Sequence, residues 1–134
     1  SGGHLLVACG EGLRLGCDLE AVRPRPNALA LAKRFFHAEE HAWLAGLPEA
    51  GIVPAFLRLW CAKEAVLKAH GHGISFGLHR FRLADGGGGG EGKSDAGLRI
   101  VECDPRLGDP AAWRLHEFRP VEGYLGAIAW HPLD

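Results

Sequence analysis

In the run RLWCAKEAVLKAHGHG, residues 58–73, apolar side chains recur at helical spacing, and charges fall among them. At about 100° per residue, Phe56, Leu59, Trp60, Val66 and Leu67 share one side. Lys63 lies in the middle of that arc, and Glu64 projects between Trp60 and Leu57. The opposite side, where charges would cost nothing, is mostly alanine: Ala62, Ala65 and Ala69, with Arg58. The pattern predicts a helix over about 55–70, capped by Gly71. It also raises the question of why Lys63 and Glu64, and with them Lys68, should face the packed side.

Elsewhere the pattern switches between the two periods. The opening HLLVACGEGLRLGCDLE reads as a hairpin, with strand-like runs at 4–9 and 13–20 around Gly10-Glu11-Gly12. Pro24 and Pro26 break the chain, and Asn27 can then cap a helix, ALALAKRFF. A second helix, AEEHAWLAGL, follows His37, and the stretch from Pro48 to Pro54 reads as a loop. Further strands are predicted at LHRFRL, at GLRIVEC, and in a closing hairpin of WRLHEFRP and GYLGAIAW. Between them, ADGGGGGEGKSDAG contains Gly92-Lys93-Ser94 but leads into a strand, so it is a flexible connection rather than a phosphate-binding loop.

Composition narrows the class. The chain has 134 residues, 47% of them hydrophobic, which suits one domain with a substantial core. A net charge of -1 gives no general affinity for nucleic acid or anionic membrane. No apolar run approaches the roughly 20 residues of a membrane span. Cys9, Cys17, Cys61 and Cys103 form no CxxC pair, and most read as small core residues of a reducing compartment. The expectation is a soluble cytoplasmic domain mixing helices and strands.

Charge placement supplies the candidate chemistry. In LRLGCDLE, Leu13, Leu15, Cys17 and Leu19 alternate with Arg14, Gly16, Asp18 and Glu20. Asp18 and Glu20 therefore leave one strand face together and repel each other unless a cation lies between them. Such a pair is commonly a solvated strand end, but it also suits magnesium, which takes a few carboxylates and leaves room for water and substrate phosphate. Glu64 and Lys68 have the spacing of a surface ion pair, worth about 0.2–0.5 kcal/mol. Lys63 is not accounted for that way, because a buried charge needs a partner. Glu64 meeting Asp18 and Glu20 around one cation, with Lys63 and Lys68 facing an anionic ligand, would account for all five charges. His70-x-His72 reads as part of the turn after the helix, since two histidines alone would make only a weak metal site, and Trp43 and Trp130 read as core or partner contacts.

These residues resemble a known family. Gly16-Cys17-Asp18-Leu19-Glu20 matches the G-x-D-x-E signature of the 4′-phosphopantetheinyl transferases. The run from Trp60 to Lys68 matches their W-x-x-K-E-A-x-x-K signature, followed by Gly71 and Gly73, and Arg34-Phe35-Phe36 and the closing GYLGAIAW are similar as well. The resemblance implies an α+β fold, an antiparallel sheet packed against a few helices, in one domain over 1–134. It implies transfer of 4′-phosphopantetheine from coenzyme A to a serine of an acyl or peptidyl carrier protein. It further implies magnesium on Asp18, Glu20 and Glu64, with Glu64 or a water held by the metal as base and Lys68 assisting the leaving group. Lys63, Lys68, Gly71 and Gly73 would face the cofactor.

Two departures qualify the match. The start of this chain looks like the start of the second half of the two-half, surfactin-type members, whose first half carries a Ser-His pair that contacts the cofactor. The short holo-acyl-carrier-protein synthases assemble as trimers and carry the Asp motif nearer the N-terminus. A homo-oligomer or a missing N-terminal half is therefore expected. His37 stands where the family often has a serine cap, which should cost local stability. Two other classes fit the residues less well: a non-catalytic carrier-binding half-domain, and a magnesium-dependent phosphodiesterase or nuclease lacking a basic face.

Overall fold

A computed structural model describes residues 3–71, 74–86 and 97–133. In chain order the elements are β1 (Leu13–Ala21), α1 (Ala28–Phe35), α2 (Ala38–Ala45), α3 (Glu49–His70), β2 (Phe81–Asp85), β3 (Leu98–Cys103), β4 (Arg114–Phe118) and β5 (Tyr124–Pro132). Two antiparallel sheets result, one of three strands in the order β1-β5-β4 and one pairing β2 with β3. The fold is the α+β arrangement expected, with α3 lying across β1 and β5.

Several expectations change. Residues 4–9 form no strand, and β1 pairs instead with β5 from the far end of the chain, Asp18 lying opposite Ala127 and Gly16 opposite Ala129. The final strand offers β1 a long, apolar antiparallel partner, which the opening segment does not. The expected closing hairpin is present as β4 and β5. Helix α3 starts at Glu49 rather than at Ala55. Pro54 lies inside the helix, removing a single N–H from its ladder, and the exposed ring leaves the turn intact. Asn27 holds the cap position of α1 without a side-chain bond.

His37 caps α2 effectively, contrary to expectation. Its Nδ1 accepts from Glu39 N at 3.0 Å, and Glu40 Oε1 accepts from His37 N at 3.1 Å. An imidazole nitrogen thus fills the acceptor role of a serine oxygen.

The alanine side of α3 is not open to water. Ala62, Ala65 and Ala69 are buried on the sheet, while Phe56, Leu59, Val66 and Leu67 are buried on the other side. Phe56 stacks on Phe36 at 5.3 Å and lies 6.0 Å from Trp60. A helix apolar all round belongs in the middle of a domain, and α3 forms the centre of this one. Small side chains let it approach closely. A Cβ built on Gly16 would lie 2.2 Å from the Ala65 carbonyl oxygen and 2.3 Å from Ala69 N. The helix therefore covers the face of β1 that carries Gly16, Asp18 and Glu20.

Candidate active site

That close crossing brings the two sequence motifs together. Asp18 is buried, and its Oδ1 accepts from Lys68 Nζ at 2.7 Å, a contact between residues fifty positions apart. The Lys68 side chain is 52% exposed, so its free side faces solvent while its tip touches a buried carboxylate. Cys61 Sγ donates to the carbonyl oxygens of Asp18 and Leu125, at 3.4 and 3.6 Å, fixing the backbone beneath the site.

Glu20 and Glu64 complete a carboxylate cluster. Burial first, and the adjoining Asp18 second, push Glu20 up to about 7, with the Glu64 charge adding and Arg25 opposing. Glu64 is raised as well, by burial and then by Asp18, against the pull of Lys68. Burial alone would lower Lys68, but the hydrogen bond and charge of Asp18, with Glu64, hold it above the ordinary lysine value. The Asp18 charge thus makes both Glu20 and Glu64 harder to ionise.

Among the described residues, two buried carboxylate oxygens, Asp18 Oδ2 and Glu64 Oε1, have no hydrogen-bond partner. Unpaired buried carboxylate oxygens are costly, and a hard cation would satisfy both. The donor set of oxygens from a few carboxylates fits magnesium. Among the described residues, no group of three or more His, Cys, Asp or Glu side chains is arranged to hold a metal ion by itself.

Beside Asp18 and Lys68 lies a cleft of about 140 Å³, lined also by His4, Leu5, Leu6, Cys17 and Leu19. The opening segment forms its other wall, with Leu6 O accepting from Cys17 Sγ at 3.7 Å and His4 against the Tyr124 ring at 4.4 Å. Whole-ligand pockets run to about 300–1,000 Å³, so this space suits a phosphate-sized group.

Lys63 is not part of this cluster, which corrects the expectation that it faces a ligand. Its side chain is wholly enclosed, and Nζ lies 2.9 Å from Glu40 Oε1. It also donates to the carbonyl oxygens of Leu78 and Phe81, at 2.7 and 2.6 Å. Burial lowers its pKa to about 8, against the stabilising charge and hydrogen bond of Glu40. All three ammonium protons are used. Glu40, which sequence reasoning left unassigned, was legible only through its place three residues after His37, the capping-box spacing. Gly71 adopts φ 85° and caps α3, donating to Leu67 O at 2.9 Å. Gly73 and His72 lie outside the described residues.

Comparison with known proteins supplies the family. The family model described as the 4′-phosphopantetheinyl transferase superfamily matches residues 14–129. The chain is 33% identical over 133 positions to the 4′-phosphopantetheinyl transferase HetI of Nostoc, covering 95% of this chain and 49% of that protein. The chain spans about half the length of the curated relatives it matches, 51% and 49% of the first two. Among solved structures, the holo-[acyl-carrier-protein] synthase of Neisseria meningitidis shares the fold with a TM-score of 0.62 at 16% identity, covering 89% of this chain and 97% of that one. A holo-(acyl-carrier-protein) synthase of Bacillus anthracis, solved with CoA (3′,5′-ADP), gives 0.63 at 14% identity, with 90% and 96% covered. With both signatures assembled at one crossing of strand and helix, and the family model spanning nearly its whole length, this chain belongs to the 4′-phosphopantetheinyl transferase superfamily.

Proposed function

We propose that the chain transfers 4′-phosphopantetheine from coenzyme A to a serine hydroxyl of an acyl or peptidyl carrier protein. The observation that carries this reading is the Asp18–Lys68 contact at 2.7 Å beside the unpaired oxygen of Glu64. Asp18, Glu20 and Glu64 would hold magnesium, which supplies neutralisation of the pyrophosphate charge. Lys68, anchored by Asp18, presents its ammonium group to the leaving adenosine 3′,5′-bisphosphate. Glu64, whose pKa burial and the Asp18 charge raise above the ordinary carboxylate value, takes the serine proton. The serine oxygen forms a bond to the phosphopantetheinyl phosphorus as the pyrophosphate P–O bond breaks. Phosphoryl transfer depends chiefly on such positioning and charge neutralisation.

Incubation with coenzyme A, magnesium and an apo carrier protein, followed by mass spectrometry, tests the reading. A phosphopantetheine adduct on the carrier serine is expected with the parent chain and is lost in Asp18→Ala, which should still melt cooperatively. Normal transfer by Asp18→Ala with magnesium limiting would reject the metal assignment. A second reading, a carrier-binding half without turnover of its own, is favoured by the chain spanning half the length of its relatives. Carrier binding without an adduct would support it.

A further inference from the structure

Lys63 precedes Glu64 by one residue and Lys68 by five, yet its ammonium group engages other elements entirely. Glu40 Oε1 accepts from Lys63 and from His37 N, while Glu40 Oε2 accepts from Leu83 N at 2.8 Å. Lys63 adds the carbonyls of Leu78 and Phe81, and its Nζ sits 4.1 Å from the Phe81 ring centroid and 5.5 Å from that of Phe36. One enclosed carboxylate and one enclosed ammonium thus join the start of α2, the middle of α3 and the start of β2.

Stability alone is a poor reason for such a pair, because apolar residues of similar volume commonly serve a core equally well. What apolar packing lacks is direction. Bonds radiating from Nζ to three different acceptors fix both the height of α3 and its rotation. Side-chain tips lie about 5–6 Å from a helix axis, so a turn of about 20° moves them by about 2 Å. That displacement would break the 2.7 Å contact between Lys68 and Asp18.

We propose that Lys63 and Glu40 are positioning residues for the site: their enclosed ion pair sets the rotation of α3 at which Glu64 and Lys68 meet Asp18. The consequence for turnover rests on the transferase reading above, whereas the geometric claim does not.

Single removal of either charge strands the other, so the test uses the neutral double replacement Glu40→Gln with Lys63→Met. Beside it stands Glu40→Asp, which keeps both charges but shortens the anchor by one methylene. Thermal melts establish folding, acetic anhydride labelling with mass spectrometry reads the shielding of the Lys68 amine by Asp18, and steady-state kinetics give kcat and KM for coenzyme A. In folded variants Lys68 should label several-fold faster, and kcat should fall about 10- to 100-fold, as for residues that orient ligating groups from behind. KM for coenzyme A should change less than about threefold, since Lys63 touches no ligand. Parental labelling and parental kcat in the folded variants would overturn the proposal. Should the double variant not fold, Glu40→Asp decides on the same readouts. If the parent chain itself shows no turnover, the transferase reading falls, and the labelling ratio alone still judges the positioning claim.

Discussion

Lys68 would be an ordinary surface residue if Asp18 were not buried beneath it. A solvated Glu64–Lys68 pair would lose about 0.5 kcal/mol or less on Lys68→Ala and leave activity alone. A lysine aimed at the leaving bisphosphate predicts a different result. Turnover at saturating coenzyme A should fall about 100- to 1000-fold, and Lys68→Arg should restore little, because a planar fork replaces a compact ammonium group. Parental turnover in Lys68→Ala, with melts run alongside, would return the residue to plain surface pairing. Glu20 gives a second test at the same scale. Its carboxyl titrates near 4.5 when unfolded and about 7 when folded. Between those values the folded state holds the extra proton, so the stability this group contributes is present below pH 4.5 and is lost as pH rises through 7. Without divalent ions, the melting temperature of the parent should fall across that window relative to Glu20→Gln. Parallel curves for the two proteins would show that Glu20 does not titrate there.

At the scale of elements, the crossing of β1 over α3 depends on Gly16. A methyl group there would meet the backbone of Ala65 and Ala69, atoms that no rotamer change can move aside. Gly16→Ala should therefore cost about 3 kcal/mol or more, beyond the usual range for overpacking, where side chains can yield. Urea denaturation checks this, and a loss under 1 kcal/mol would mean that strand and helix separate readily. Much of this arrangement was legible beforehand. Three helices, the Gly71 cap and the closing hairpin follow from period and turn residues, whereas the motifs imply Lys68 facing an anionic ligand and do not foretell its contact with Asp18. The pairing of β1 was not legible, because an apolar run at residues 4–9 looks as strand-like as the true partner at the other end of the chain. Nor was the orientation of α3. A helical wheel shows that Lys63 faces inward but not what awaits it, and Glu40 lies twenty-three residues away on another helix. Similarly, the polar face of β1 is the covered one, since glycine takes no space and the Asp18 charge is matched by Lys68.

Across the whole molecule, Arg58 links the layers. Its Nε and Nη2 donate to Glu117 on β4 at 2.8 and 2.9 Å, and Nη1 donates to Asp85 on β2 at 2.9 Å. Glu117 also accepts from Leu98 N on β3 at 3.1 Å, so one guanidinium and one carboxylate join both sheets to the central helix. These groups are partly buried, which places the pair between a surface contact and an enclosed one. Arg58→Ala should lower stability by about 2 kcal/mol while the magnesium dependence of any transfer stays parental, because Arg58 touches none of the site carboxylates. A shifted magnesium dependence would show that the layers and the site are coupled.

The seam of Ala62, Ala65 and Ala69 against Gly16 has a mechanical consequence. Longer side chains at an interface can exchange rotamers and let two elements slip past each other, whereas methyl groups and bare backbone have almost no such freedom to lose or use. The spacing between β1 and α3 is thus set by main-chain atoms in direct contact, a joint without slack. Lys68 reaches Asp18 from a stiff support whose distance from β1 is held by the smallest residues in the chain, which leaves only the rotation of α3 for the charged pair of Lys63 and Glu40 to set.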